Sequence, residues 1–197
     1  MWQKIIAIIL LILILLSHVS YILSFNDNTY FRYLPTLLLY PDNKLEIDQM
    51  KSIVQSRDNE TTQLFHMHDR YGAKYVFDKE LPEVKDLILP NSIRATMISL
   101  LLILKLMFNR KRPYQTDPNI GHIDTPTTYN PSFPSGHAME AYLWSAYISK
   151  KMPHLREKAE VIADKCANLR VQGGVHFPSD TAASKWLVNN CLKYIIQ

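Results

Sequence analysis

Three short segments concentrate the residues whose types and spacing can do chemistry. In the first, Lys105 is followed after six residues by Arg112-Pro113. About two helical turns separate the two cations, so both can project from one helix face. Arg110 and Lys111 alongside leave two other readings open: a solvated basic helix end favoured by the helix dipole, or a weak nucleic-acid patch. The second segment is Phe133-Pro134-Ser135-Gly136-His137. A Pro-Ser-Gly turn into a helix start presents unpaired backbone N–H groups, which can cradle an oxyanion that His137 then meets. Its alternative is a simple N-cap with an exposed histidine. The third is Arg170, five residues, His176, three residues, Asp180. Gly173 and Gly174 let the chain turn tightly there. Asp180, four residues on at a helix start, can hold His176 in one tautomer. Such a histidine is a nucleophile or a base, unless the pair is structural. Together the segments supply three cations, an N–H cluster, two histidines and one carboxylate. That inventory suits a tetrahedral oxyanion bound without metal.

In order and internal spacing these segments resemble the signature of the phosphatidic acid phosphatase type 2 superfamily, which includes bacterial class A acid phosphatases and vanadium haloperoxidases. The resemblance covers roughly residues 100 to 185. From Phe133 to Ser184, including the run GGVHFPSD, the chain looks most like the soluble class A acid phosphatases. The resemblance implies an all-α helical bundle of the acid phosphatase/vanadium haloperoxidase type. It implies that His176 attacks phosphorus and that Asp180 orients it and stabilises its charge. His137 would protonate the leaving alcohol and then activate water. Lys105, Arg112 and Arg170 would neutralise the non-bridging oxygens, with Ser135 and the Gly136 N–H completing the cradle. Two histidines in opposite protonation states predict a bell-shaped pH profile on the acid side of neutrality. No metal or other cofactor is implied, vanadate entering only under a haloperoxidase reading. One position departs from the family: Leu169 stands where a serine usually precedes the arginine, which bears on affinity or substrate range.

The elements that must position these residues read as helices. Ile47, Met50, Ile53 and Val54 recur at helical spacing, and the pattern predicts a helix from Leu45 through Leu64 and Phe65 to Gly72. A short helix is expected from Pro82, and another, capped by Asn91 or Ser92, to about Arg110. Within it the apolar stretch 98–108 contains Lys105, is half the length of a membrane span, and reads as buried in a soluble domain. Residues 113–134 carry five prolines and read as a long functional loop. Ser135 is expected to cap a helix through Ser149, Pro153 to open one to about Val171, and Pro178 to open the last. His122 and Asp124 lie in the proline-rich loop, at the pocket mouth or in solvent. The run His66-x-His68-Asp69 could suggest a metal site, but His66 and His68 point to different faces of a helix, which disfavours it.

Upstream, residues 5–25 are apolar apart from a few hydroxyls and one histidine, and are preceded by Lys4. At about 1.5 Å per residue such a run spans roughly the 30 Å hydrocarbon core. It reads as a signal anchor, or a signal peptide if cleaved. Lys4 before it places the N-terminus in the cytoplasm and the rest outside. The expected organisation is therefore anchor 1–25, linker 26–44 and an all-helical phosphatase domain 45–197. The composition, 47% hydrophobic with 7 Phe, 3 Trp and 11 Tyr, excludes a disordered chain. A net charge of +4 makes no case for nucleic acid. Cys166 and Cys191 are too few for a disulfide scaffold, though they could pair outside the cytosol.

The function expected is a membrane-tethered, metal-independent phosphomonoesterase facing away from the cytoplasm. Its substrate is a small phosphate ester or a lipid headgroup at the membrane surface. A vanadium haloperoxidase and a non-catalytic anion-binding scaffold are the alternatives.

Overall fold

Apolar spacing and end signals make the described part of this chain helical. The structure, a computed structural model, describes residues 43–196, and among these it holds helices and turns with no strand. The apolar segment 5–25 and nearly all of the 26–44 linker lie outside the described residues. In chain order come α1 (Asn43–Gln55), α2 (Asn59–Glu80), α3 (Asn91–Phe108), α4 (Pro113–Thr116), α5 (Gly136–Lys151), α6 (Arg156–Gln172) and α7 (Pro178–Asn190). Short 3-10 turns at Pro82–Val84, Pro126–Tyr129, Pro153–Leu155 and Leu192–Ile195 connect or end them.

The bundle is built around α5, which packs most extensively on α6 and then on α7 and α2. Apolar side chains surround α5, among them Met139, Leu143, Trp144 and Ile148, all buried. A helix apolar on every side belongs in the middle of a bundle. Burying each such side chain contributes about 1.5–3 kcal/mol. Phe77 of α2, Ile162 of α6 and Leu187 of α7 complete the same core.

Helix ends depart from the sequence expectation where local polar groups compete. The helix expected from Leu45 to Gly72 is two helices. The Asp58 side chain accepts a hydrogen bond from the Thr61 N–H at 2.7 Å and caps α2 afresh. α2 then continues past Gly72 with a kink there, at φ 75°. A Cβ at Gly72 would also meet the Glu140 carboxylate at 3.2 Å. α3 stops at Phe108, because Asn109 takes the left-handed conformation at φ 41°. Lys105 and Arg112 therefore do not share one helix face. Lys105 comes from α3, and Arg112 sits at the N-cap position of α4, with Pro113 in the first turn.

The stretch 98–108 also corrects the expectation of a buried helix. α3 touches the core along one face, at Ile93, Met97, Leu100, Leu101 and Leu104. Its other face is apolar and open, with Leu102 49% and Leu106 76% exposed. Among the described residues, Asn91–Thr116 is the one stretch long and apolar enough to cross a membrane, and 17% of its most apolar window is buried. Cys166 and Cys191 are free thiols.

Candidate active site

Four elements converge on one cavity of about 440 Å³. Lys105 from α3, Arg112 at the start of α4, Gly136 and His137 from α5, and His176 before α7 all line it. Met97, Ile98 and Leu101 of α3 form its apolar wall. Ser135, Arg170 and Asp180, also expected in the site, lie buried behind this lining.

His176 is held on both sides. Its Nδ1 lies 3.3 Å from Asp180 Oδ2, and its Nε2 lies 3.3 Å from Arg112 Nη1. The turn delivering it is tight, since Gly174 adopts φ 71° and a Cβ there would stand 2.4 Å from the Gly121 carbonyl oxygen. Asp180 is pinned in turn: Oδ2 accepts from the Phe177 N–H at 2.9 Å and from the Ser132 hydroxyl, while Oδ1 accepts from Arg110 at 2.6 Å. Burial pushes the Asp180 carboxyl above the usual range, and Arg110 opposes that shift.

Arg112 is oriented by carbonyl groups. It donates to the carbonyl oxygens of Val175, Thr127 and Asn130 at 2.7–3.0 Å. Lys105 donates to the carbonyl of Pro131. Arg170 is different: it stacks over the Phe65 ring at 4.1 Å, and none of its guanidinium nitrogens makes an aligned hydrogen bond. Burial lowers its pKa to about 10, opposed by Asp69, so it stays protonated at neutral pH.

Backbone geometry supplies the rest of an anion site. Ser135 caps α5 through Ala138 N–H at 3.4 Å, and its carbonyl accepts from Ser184 Oγ at 2.8 Å. The first N–H groups of α5 therefore open beside His137. Close packing holds Gly136 there, since a Cβ would meet Leu101 at 2.9 Å. Burial lowers the pKa of both pocket histidines well below the ordinary value. Nearby cations add to it: Arg112, Lys105 and Arg170 at His176, and Arg170, Arg112 and Lys105 at His137, beside His176. With no anion bound, both imidazoles are neutral at pH 7. A neutral His176 Nε2 can attack an electrophilic centre, and a bound dianion would offset the cations and return a proton to His137.

Other candidates fall elsewhere. His122 pairs with Asp124 at 3.2 Å and stacks on Tyr114, outside the pocket lining. Leu169 lines a separate surface groove with Asp58, Leu64 and Gln172. His66 is exposed whereas His68 is buried. Four residues of this centre are not marked out by the sequence pattern. Arg110 reads as a solvated helix end, yet it is 2% exposed. Glu46 carries no signal, but it bonds both Arg110 and Ser179. Asp69 and His68 stand next to each other in the sequence, and only the fold brings them to His137.

A family model described as the PAP2 superfamily matches residues 87–189. No curated protein matches the sequence. Among solved structures, a transmembrane PAP2-type phosphatidylglycerolphosphate phosphatase from Bacillus subtilis is similar, with a TM-score of 0.56 and 19% identity over 95% of this chain and 92% of that chain. At that identity the likeness is one of fold.

Proposed function

The chain belongs to the PAP2 superfamily of phosphatases, and we propose that it hydrolyses phosphate monoesters without metal, through a phosphohistidine at His176. The observation that carries this reading is the buried His176 ring, fixed between Asp180 and Arg112 at a cavity that also presents Lys105 and His137. Nε2 attacks phosphorus as the bond to the leaving oxygen breaks, and His137 gives its proton to that oxygen. Water then attacks the phosphohistidine, its proton passing to His137, and inorganic phosphate leaves. Lys105, Arg112 and Arg170 balance the charge of the non-bridging oxygens. Phosphoryl transfer needs chiefly positioning and charge stabilisation, and fixed cations can supply both.

A lipid phosphate is the substrate reading that one specific observation favours. Met97, Ile98 and Leu101 of the pocket wall continue into the exposed apolar face of α3 at Leu102 and Leu106. A phosphate in the cavity would leave an acyl chain beside that face. In this reading the segment 5–25 tethers the domain at the membrane, on the side away from the cytoplasm.

The test is turnover by the full chain in detergent with EDTA, offered p-nitrophenyl phosphate and, separately, phosphatidic acid in mixed micelles. EDTA-resistant release of phosphate, reduced at least about a thousandfold in His176→Ala, is expected. No turnover of either substrate by folded protein from pH 4 to 8 would overturn the reading. Halide oxidation with vanadate and peroxide would then identify a haloperoxidase, and vanadate binding alone a scaffold.

A further inference from the structure

We propose that Asp69 of α2, outside all three sequence segments, is the residue that positions and charges His137 for proton transfer to the leaving group. This rests on the phosphatase reading above and names a further residue for that reaction. Asp69 Oδ1 lies 2.9 Å from Arg170 Nη2 and 3.6 Å from His137 Nε2. Oδ1 is thus shared between the Arg170 guanidinium, in ion-pair range, and the imidazole beside it. Its other oxygen accepts from the Thr125 hydroxyl, which fixes the carboxylate plane. Asp69 and His137 side chains are 11% and 17% exposed, so the pair is only weakly screened by water.

The charges around His137 show why a carboxylate is needed. Asp69 and His68 face it from α2, Lys105 from α3, Arg112 from the start of α4, Arg170 from α6 and His176 from the turn before α7. On α5 itself, Glu140 lines the same cavity one turn further on. The positive charges of Arg170, Arg112 and Lys105 each disfavour a proton on His137. His68 lies edge-to-face against it with ring centroids 5.3 Å apart, and burial keeps its ring neutral, so it has no charge to contribute. Asp69 is thus the carboxylate in direct reach of His137, as Asp180 is for His176. The site holds two carboxylate–histidine pairs, one for the nucleophile and one for the acid.

The chemistry assigns Asp69 a limited duty. In the first step His137 loses its proton to the leaving oxygen as the N–P bond forms and the P–O bond breaks. In the second it regains one from water. The Asp69 carboxylate favours the protonated imidazole before each first step. By also pairing with Arg170, it fixes that guanidinium behind the pocket lining.

The test compares Asp69→Asn with wild-type full chain on two substrates, 2,4-dinitrophenyl phosphate and an alkyl phosphate. A dinitrophenolate leaves without a proton, whereas an alkoxide does not. The expected result is a loss in kcat of about 10- to 100-fold on the alkyl ester and under about threefold on the dinitrophenyl ester. The descending limb of the alkyl profile should move to lower pH, because an acid with a lower pKa is deprotonated sooner. Equal losses on both esters with an unmoved limb would overturn the proposal and leave Asp69 a structural partner of Arg170. Should Asp69→Asn fail to fold, Thr125→Val releases the same carboxylate from its tether, and the same selective loss, smaller in size, is required of it. Absence of turnover in the wild type would instead strike the phosphatase reading itself.

Discussion

Arg110 never reaches the cavity, yet the nucleophile's orientation depends on it. Its guanidinium is 2% exposed and binds Asp180, Glu46, Ser179 and Asn43. Replacing it with methionine leaves two buried carboxylates uncompensated, a loss of about 3–5 kcal/mol. Chemical denaturation of Arg110→Met should show that loss, and a change under about 1 kcal/mol would contradict it. A second residue-scale prediction concerns His137. Burial and cations hold it neutral in the free site, and a bound dianion favours its protonation. The descending limb of kcat, which reports the bound state, should therefore lie at higher pH than that of kcat/KM, which reports the free enzyme. Coincident limbs in the two profiles would count against this coupling. The bell-shaped profile expected from the sequence thus acquires a condition, since the acid holds its proton only when the substrate's charge adds to that of Asp69. The eight signature residues are legible in the sequence because their roles rest on local spacing. Asp69, Arg110 and Glu46 act through contacts separated by 64 to 133 residues, and their local sequence, the His66-x-His68-Asp69 run included, does not show which partners they meet.

At the scale of elements, α3 departs furthest from its sequence pattern. Its length and Lys105 argue for burial, because composition cannot say which face of a helix finds a partner. The side chains of Ile93, Met97, Leu100, Leu101 and Leu104 pack inward. If the outer face meets acyl chains, the double substitution Leu102→Glu and Leu106→Glu should cut kcat/KM for phosphatidic acid in mixed micelles at least about tenfold, from lost apolar contact. Turnover of p-nitrophenyl phosphate should change less than about twofold, as exposed substitutions cost little stability. Equal effects on both substrates would refute the lipid reading of this face. Helices α5, α6 and α7 are legible from their end signals, Ser135, Pro153 and Pro178, which mark ends or turns that the structure places within a residue or two. By contrast, α4 and the turn at Pro126–Tyr129 lie inside what reads as a long loop. The break at Asp58 is hidden in the sequence, because an Asx cap competes there with an unbroken apolar period.

For the whole molecule, the site carries a cost in stability that pH reveals. His68, His137 and His176 are all held well below their ordinary pKa, chiefly by burial. The unfolded chain binds protons at these histidines near pH 6.5, where the folded chain does not. Stability is therefore full above that pH and falls as the pH drops below it. Asp180 and Glu140, pushed upward by burial, act in the opposite sense but are two groups against three. The melting temperature should fall between pH 7 and pH 5, and the fall should shrink in the His68→Leu variant, which removes one of the three. A melting temperature that is flat or rising toward pH 5 would contradict this account. The all-α bundle and its family are legible in the amino-acid sequence itself, since helical period and three spaced segments suffice for both.

The central claim is that His176 becomes covalently phosphorylated. Full-length protein mixed with p-nitrophenyl phosphate in EDTA, quenched in base within the first turnover and digested for mass spectrometry, tests it directly. Phosphate on His176, absent from His176→Ala together with turnover, is the predicted result. Sustained turnover with no phosphohistidine, or turnover that survives the loss of His176, would contradict it.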